Sequence, residues 1–108
     1  MLADVGRLMK SLSIQNDWPF KDPKNLAVFT TAQVMRLRRP ILHVSRDNED
    51  GAWQFHTGAA HVSTSDMMVV GLEEVAELDP TVCELADLPF GWIAEREGIG
   101  SPWRRIQR

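Results

Sequence analysis

Apolar and polar residues alternate most regularly over residues 40–57, Pro-Ile-Leu-His-Val-Ser-Arg-Asp-Asn-Glu-Asp-Gly-Ala-Trp-Gln-Phe-His-Thr. Two period-two runs flank a polar segment closed by glycine, which is the pattern of a β-hairpin. Successive side chains of a strand point to opposite faces. Leu42, Val44 and Arg46 therefore share one face of the first strand, and Ile41, His43 and Ser45 share the other. On the second strand Trp53 and Phe55 share a face, and Ala52, Gln54 and His56 share the other. A two-residue loop (Asp50-Gly51) and a four-residue loop (Asn48 to Gly51) give the same parity. Leu42 and Val44 then join Trp53 and Phe55 toward the core, while His43, Ser45, Gln54 and His56 form an outer strip facing water or a partner. The four-residue loop sets His43 directly opposite His56.

Helical spacing of Leu2, Val5, Leu8, Met9 and Leu12 predicts a short amphipathic helix over residues 1–11, packed on the body or docking a partner. Residues 13–25 contain Pro19 and Pro23 and predict an irregular arm pinned by Trp18 and Phe20. Residues 26–29 suit a strand. Thr30-Thr31-Ala32-Gln33 predicts a capping box with Thr30 as N-cap and Gln33 reaching back. The short helix after it turns Val34 and Leu37 inward and stops at Pro40. Residues 58–66 are small and polar, hence a loop. The apolar run 67–70 predicts a buried central strand. A helix over 72–78 carries Glu73 and Glu74 in its first turn. Asp79-Pro80 opens a second helix over 80–87 that buries Val82, Leu85 and Ala86. Leu88-Pro89-Phe90-Gly91 is a turn, and residues 92–96 return to the sheet.

Hairpins with clustered helices predict an α+β fold. The expected architecture is a mainly antiparallel, twisted sheet of four to five strands with short helices packed on one face. The whole chain, 1–108, is expected to form a single domain. Residues 1–17 would be a peripheral helix and arm, and residues 104–108 a loose basic tail.

Composition narrows the function classes. The chain has 108 residues, 44% hydrophobic and 25% charged, which fits one ordered globular domain. Its formal net charge of -3 gives no general attraction to nucleic acid or an anionic membrane. Arg36, Arg38 and Arg39, with Arg104, Arg105 and Arg108, read as solvated surface. No apolar run is long enough to span a bilayer, and Asp4, Arg7 and Lys10 interrupt any leader-like segment. The single cysteine, Cys83, cannot form an internal disulfide, which favours a cytoplasmic location.

Candidate chemistry is sparse. His43 and His56, with His61 from the loop, could in principle meet a transition metal or act as an acid/base pair. No cysteine or carboxylate lies at a diagnostic ligand spacing, so no metal site is assigned. The segment Asp47-Asn48-Glu49-Asp50-Gly51 looks like a calcium loop until it is counted. With Gly51 at the sixth position, Arg46 and Thr57 fall where acidic ligands are required. Cys83 lacks a basic neighbour in sequence, and Ser45 lacks a nucleophile elbow. Phosphate-loop and dinucleotide fingerprints are missing too, so no catalytic residue and no cofactor is assigned. The binding candidates are His43, Ser45, Gln54 and His56.

The segments Pro40-Ile41-Leu42-His43-Val44, Asp50-Gly51-Ala52-Trp53-Gln54-Phe55, Leu78-Asp79-Pro80 and Leu85-Ala86-Asp87-Leu88-Pro89-Phe90-Gly91-Trp92-Ile93-Ala94 together resemble small bacterial proteins similar to immunity-protein-like domains of unknown function. The resemblance spans roughly residues 18–103. It implies an α+β domain with an antiparallel sheet and assigns no catalytic residue. The expected function is a non-enzymatic protein-binding module of immunity type. The alternatives are a small enzyme using a His43/His56 surface pair and a structural subunit that forms a homodimer.

Overall fold

A computed structural model describes residues 18–108 of the chain. The helix expected over residues 1–11, and the first part of the arm, lie outside the described residues. The fold is α+β, as the sequence predicts, with six strands rather than four or five. Strands β1 (Ala27–Thr31), β2 (His43–Arg46), β3 (Trp53–His56), β4 (Met67–Gly71), β5 (Trp92–Glu95) and β6 (Arg104–Gln107) form one sheet in the order β4-β1-β3-β2-β5-β6. All neighbours are antiparallel except β1 and β3, which run parallel with Phe29 opposite Gln54.

The helical elements pack on one face. They are α1 (Ala32–Met35), α2 (Leu72–Leu78) and a 3-10 segment, Pro80–Leu85. Val34, Leu72, Val75, Val82 and Leu85 from these elements meet Val28, Val44, Trp53, Phe55 and Ala94 of the sheet in a single core. Trp53 and Phe55 are fully buried and stacked, with ring centroids 5.8 Å apart. Burying a large apolar side chain of this kind stabilises the fold by about 2–3 kcal/mol. From the arm, Phe20 meets Trp53 edge-on at 5.5 Å, and Trp18 packs against the same core.

The hairpin takes the four-residue loop. Asp47 and Ala52 close it, with Asp47 N–H donating to Ala52 O at 2.9 Å. Gly51 adopts a positive φ of 71°, and any Cβ there would lie 2.4 Å from the Phe90 ring, so glycine is required twice over. Arg46 lies between the rings of Trp53 and Phe90, at 4.6 Å from each centroid. It donates to Gly51 O and Leu88 O, and so ties the hairpin to the turn before β5.

Four expectations are corrected. The N-cap of α1 is Thr31, whose hydroxyl accepts from Val34 N–H, rather than Thr30. Thr30 instead points into the core and donates to Phe55 O at 3.0 Å, because β1 runs on to Thr31. Leu37 is 64% exposed rather than inward. Helix α1 is only one turn long, and Arg38, at φ 56°, bends the chain away from the helical face. The apolar run 67–70 forms β4 at the sheet edge rather than a central strand. An apolar run looks alike whether both faces or only one are covered. Finally, residues 104–107 are not a loose tail but the sixth strand, with Ile106 opposite Ile93 and Arg105 bound to Asp87 and to Glu84 O.

A buried charge anchors the far end of β5. Arg96 is 4% exposed. It donates to Ile41 O, Thr81 Oγ1 and Asp79 Oδ2 and lies 4.0 Å from the Trp103 ring centroid. Asp79 also caps the 3-10 segment by accepting from Thr81 N–H. Each guanidinium nitrogen of Arg96 is directed at a partner, the condition under which a charge can be buried, whereas the buried Trp103 Nε1 has no partner among the described residues. Among the described residues no helix is long and apolar enough to cross a membrane.

Candidate functional site

Among the described residues no helix covers the other face of the sheet, and its side chains follow from the strand registers. One row crosses all six strands: Val69 on β4, Phe29 on β1, Gln54 on β3, Ser45 on β2, Ile93 on β5 and Ile106 on β6. The adjacent row includes His56, His43, Glu95 and Arg104. The face is therefore apolar at its two ends and polar in the middle. Phe29, Val69 and Ile106 are 41%, 61% and 43% exposed, and the chain neighbours of Phe29, Val28 and Thr30, are buried on the covered face.

The structure brings together all of the binding candidates read from the sequence. His43 lies directly opposite His56, and Ser45 directly opposite Gln54. The two imidazoles meet edge-on with centroids 6.2 Å apart. His56 Nε2 and Gln54 Oε1 are 2.9 Å apart, so the ring carries its proton on Nε2 when the amide oxygen faces it. Glu95, one strand further, brings its carboxylate to 3.6 Å from His43 Nδ1. Burial lowers the pKa of His56, and the neighbouring His43 lowers it further. His56 is therefore held toward its neutral form more strongly than an ordinary histidine.

Two recesses flank the polar strip. Ser45 and Gln54 border a polar hollow of about 660 Å³, together with Asp47, Asn48, Glu49 and Arg108 at the hairpin tip. His43 and Glu95 border a smaller hollow of about 230 Å³ near Gly58. The strip can donate and accept hydrogen bonds at neutral pH. It does not assemble a nucleophile, because His56 is bonded to Gln54 rather than to Ser45, which is itself buried. Cys83 lies on the helical side, half-buried. Burial and the nearby Asp79 push its thiol pKa up, opposite to what a reactive thiolate needs. Among the described residues no three His, Cys, Asp or Glu side chains cluster in a way that could hold a metal ion.

Sequence parity found the centre of this face but not its ends. Phe29 sits next to the buried Val28, so period-two reading of 26–29 carried the signal for an outward Phe29. Glu95 and Ile93 follow in the same way from the alternation of β5. Ile106 was hidden, because a strand this rich in arginine reads as a tail. No family model, curated protein or solved structure matches the chain.

Proposed function

We propose that this chain is a non-enzymatic protein-binding module of immunity type that holds a partner protein against the helix-free face of its sheet. The observation that carries this reading is the exposure of Phe29, Val69 and Ile106 at the ends of a face whose centre offers His43, Gln54 and His56. Large apolar side chains around a polar strip suit an interface, since burying them is favourable and the polar groups set register. The partner is a protein rather than nucleic acid or a membrane, given a net charge of -3 and the absence of any broad cationic face here. The proposed setting is the cytoplasm, where the lone Cys83 remains a thiol.

The test is capture of the protein encoded beside this gene by purified wild-type chain and by Phe29→Glu and Ile106→Glu chains. The reading expects a stoichiometric complex with wild type, lost in both variants while their folded spectra persist. A complex indifferent to both substitutions, or no complex, contradicts it. The competing reading, a small enzyme using His43 and His56, draws on their direct opposition and on Glu95 beside His43. Replacing both histidines by alanine separates the two. The enzyme loses turnover by orders of magnitude, whereas the binding module loses only part of its affinity.

A further inference from the structure

Where α1 ends, the backbone is strained at one residue. Arg38 takes a left-handed conformation, φ 56°, and no other non-glycine residue among those described has a positive φ. Glycine is the usual residue at such an exit, because it has no Cβ to strain. Arg39 N–H returns to Gln33 O at 3.0 Å and fixes the turn. What arginine adds over glycine at position 38 is a guanidinium. Arg38 and Arg39 together border a hollow of about 450 Å³ between this turn and the junction of α2 with the 3-10 segment. Small-molecule sites occupy roughly 300–1,000 Å³. Both arginines are exposed, and among the described residues neither is ion-paired. The other walls are apolar or already satisfied. Ile41, Leu78 and Pro80 are apolar, and Ile99 is 69% exposed, more than any other large apolar residue described. Asp79 and Thr81 also border the hollow, but the Asp79 carboxylate is held by Arg96 at 2.7 Å. The Thr81 hydroxyl donates to Asp79 and accepts from Arg96. The side chains left free are therefore apolar walls and two guanidinia.

We propose that this hollow binds a small amphiphilic oxyanion, with a carboxylate or phosphate head held by Arg38 and Arg39 and a short apolar body laid against Ile41, Leu78, Pro80 and Ile99. The guanidinium fork matches the paired oxygens of either head. Two cations on consecutive residues repel each other, and an anion between them relieves that repulsion. The apolar body takes Ile99 out of water, which is favourable in proportion to the area covered. An inorganic anion alone leaves Ile99 in water, and a neutral apolar molecule leaves both arginines unpaired, so the fit needs both ends. Strain kept at a residue whose side chain borders a hollow is also the signature of a site rather than of a plain turn. The chain carries a net charge of -3, so the attraction is local to the arginine pair and weakens with salt. With few ligand atoms in contact, dissociation falls on roughly the sub-millimolar to millimolar scale. The hollow is bordered by none of His43, Ser45, Gln54 and His56, so the proposal does not rest on the binding-module reading.

The test is titration of the full chain with octanoate and with hexyl phosphate, followed by NMR shifts of Arg39, Ile41, Leu78, Thr81 and Ile99. Inorganic phosphate and hexanol serve as the head and the body alone. At least one amphiphile is expected to saturate these shifts, about tenfold or more tighter than either part, and the one that does names the head. Arg39→Gln is expected to weaken it about tenfold, the effect of losing a hydrogen bond to a charged group. Arg38→Gly should weaken binding similarly while raising the thermal midpoint, because glycine relieves the left-handed turn. Ile99→Ser should weaken the amphiphile and leave inorganic phosphate unchanged. Shifts at these residues from no probe, or affinities indifferent to both arginine substitutions, overturn the proposal. So do amphiphiles that bind no tighter than their parts, and a lowered midpoint in Arg38→Gly, which would make the arginine a structural residue.

Discussion

The two faces of this sheet are made by the same strands from alternating residues, yet they behave as different materials. On one face Val28, Thr30, Val44, Trp53, Phe55 and Ala94 have essentially no exposure. On the other, Phe29 of the interior strand β1 and Val69 and Ile106 of the two edge strands remain open to solvent. The comparison teaches that apolar content does not decide which side of this sheet is core. Helices α1 and α2 and the 3-10 segment cover the first face, and among the described residues no helix covers the second. Fold stability should therefore reside on one side and recognition on the other.

Substitutions that separate the two roles can break this contrast. Trp53→Ala should have the largest effect, about 3–5 kcal/mol of lost stability, because it leaves a cavity at the centre of the covered face. Urea unfolding measures it, and a loss below about 1 kcal/mol would mean that the core is not where the aromatic stack places it. Arg96→Met comes next. It leaves Asp79 without its 2.7 Å ion-pair partner, and since Asp79 keeps some solvent access the cost should be about 2–3 kcal/mol. The same substitution should leave the environment of Phe29 and Val69, at the far side of the sheet, unchanged in NMR spectra, which sharpens the separation of stability from the open face.

A smaller effect is set by pH. The folded-state pKa of His56 lies below its ordinary value of 6.5. The unfolded chain therefore binds the proton more readily, and stability falls as pH drops from about 6.5 through the folded pKa. His56→Gln should flatten that acid slope in unfolding measured between pH 5 and 7.5, with little change at the alkaline end. An unchanged slope would place the acid sensitivity elsewhere. The smallest expected effect on stability is Phe29→Ser, within about 0.5 kcal/mol because the side chain is already partly in water. A large loss would show that Phe29 belongs to the core and would remove one end of the proposed interface.

The hairpin was legible in the sequence because alternation and a short loop fix parity together. The shared face of His43, Ser45, Gln54 and His56 follows from local pattern alone, while the direct pairing of His43 with His56 required the four-residue loop, one of two that the pattern allowed. What failed depends on distant partners. Whether the run Met67–Gly71 is central or at an edge depends on which strand lies beyond it, and alternation within a segment cannot report that. Arg104–Gln107 is held as a strand by Ile93 and by the carboxylate of Asp87, both remote in sequence. Arg105 also keeps the Asp87 pKa below the ordinary carboxylate value, chiefly through their hydrogen bond. Thr30 lost its role as N-cap to a bond with Phe55 across the parallel β1–β3 pair, the one parallel contact in the sheet. The candidate strip was therefore found by its centre, and its apolar ends became visible only once the strand order was known.

The division of labour proposed for the two faces is tested most directly by amide exchange on the full chain before and after it is mixed with the protein encoded beside its gene. The account predicts new protection in the segments holding Ser45, Gln54, Ile93 and Ile106, with no comparable change around Glu73, Glu77 and Cys83 on the helical side. Protection confined to the helical side, with the open face exchanging as freely as before, would contradict it.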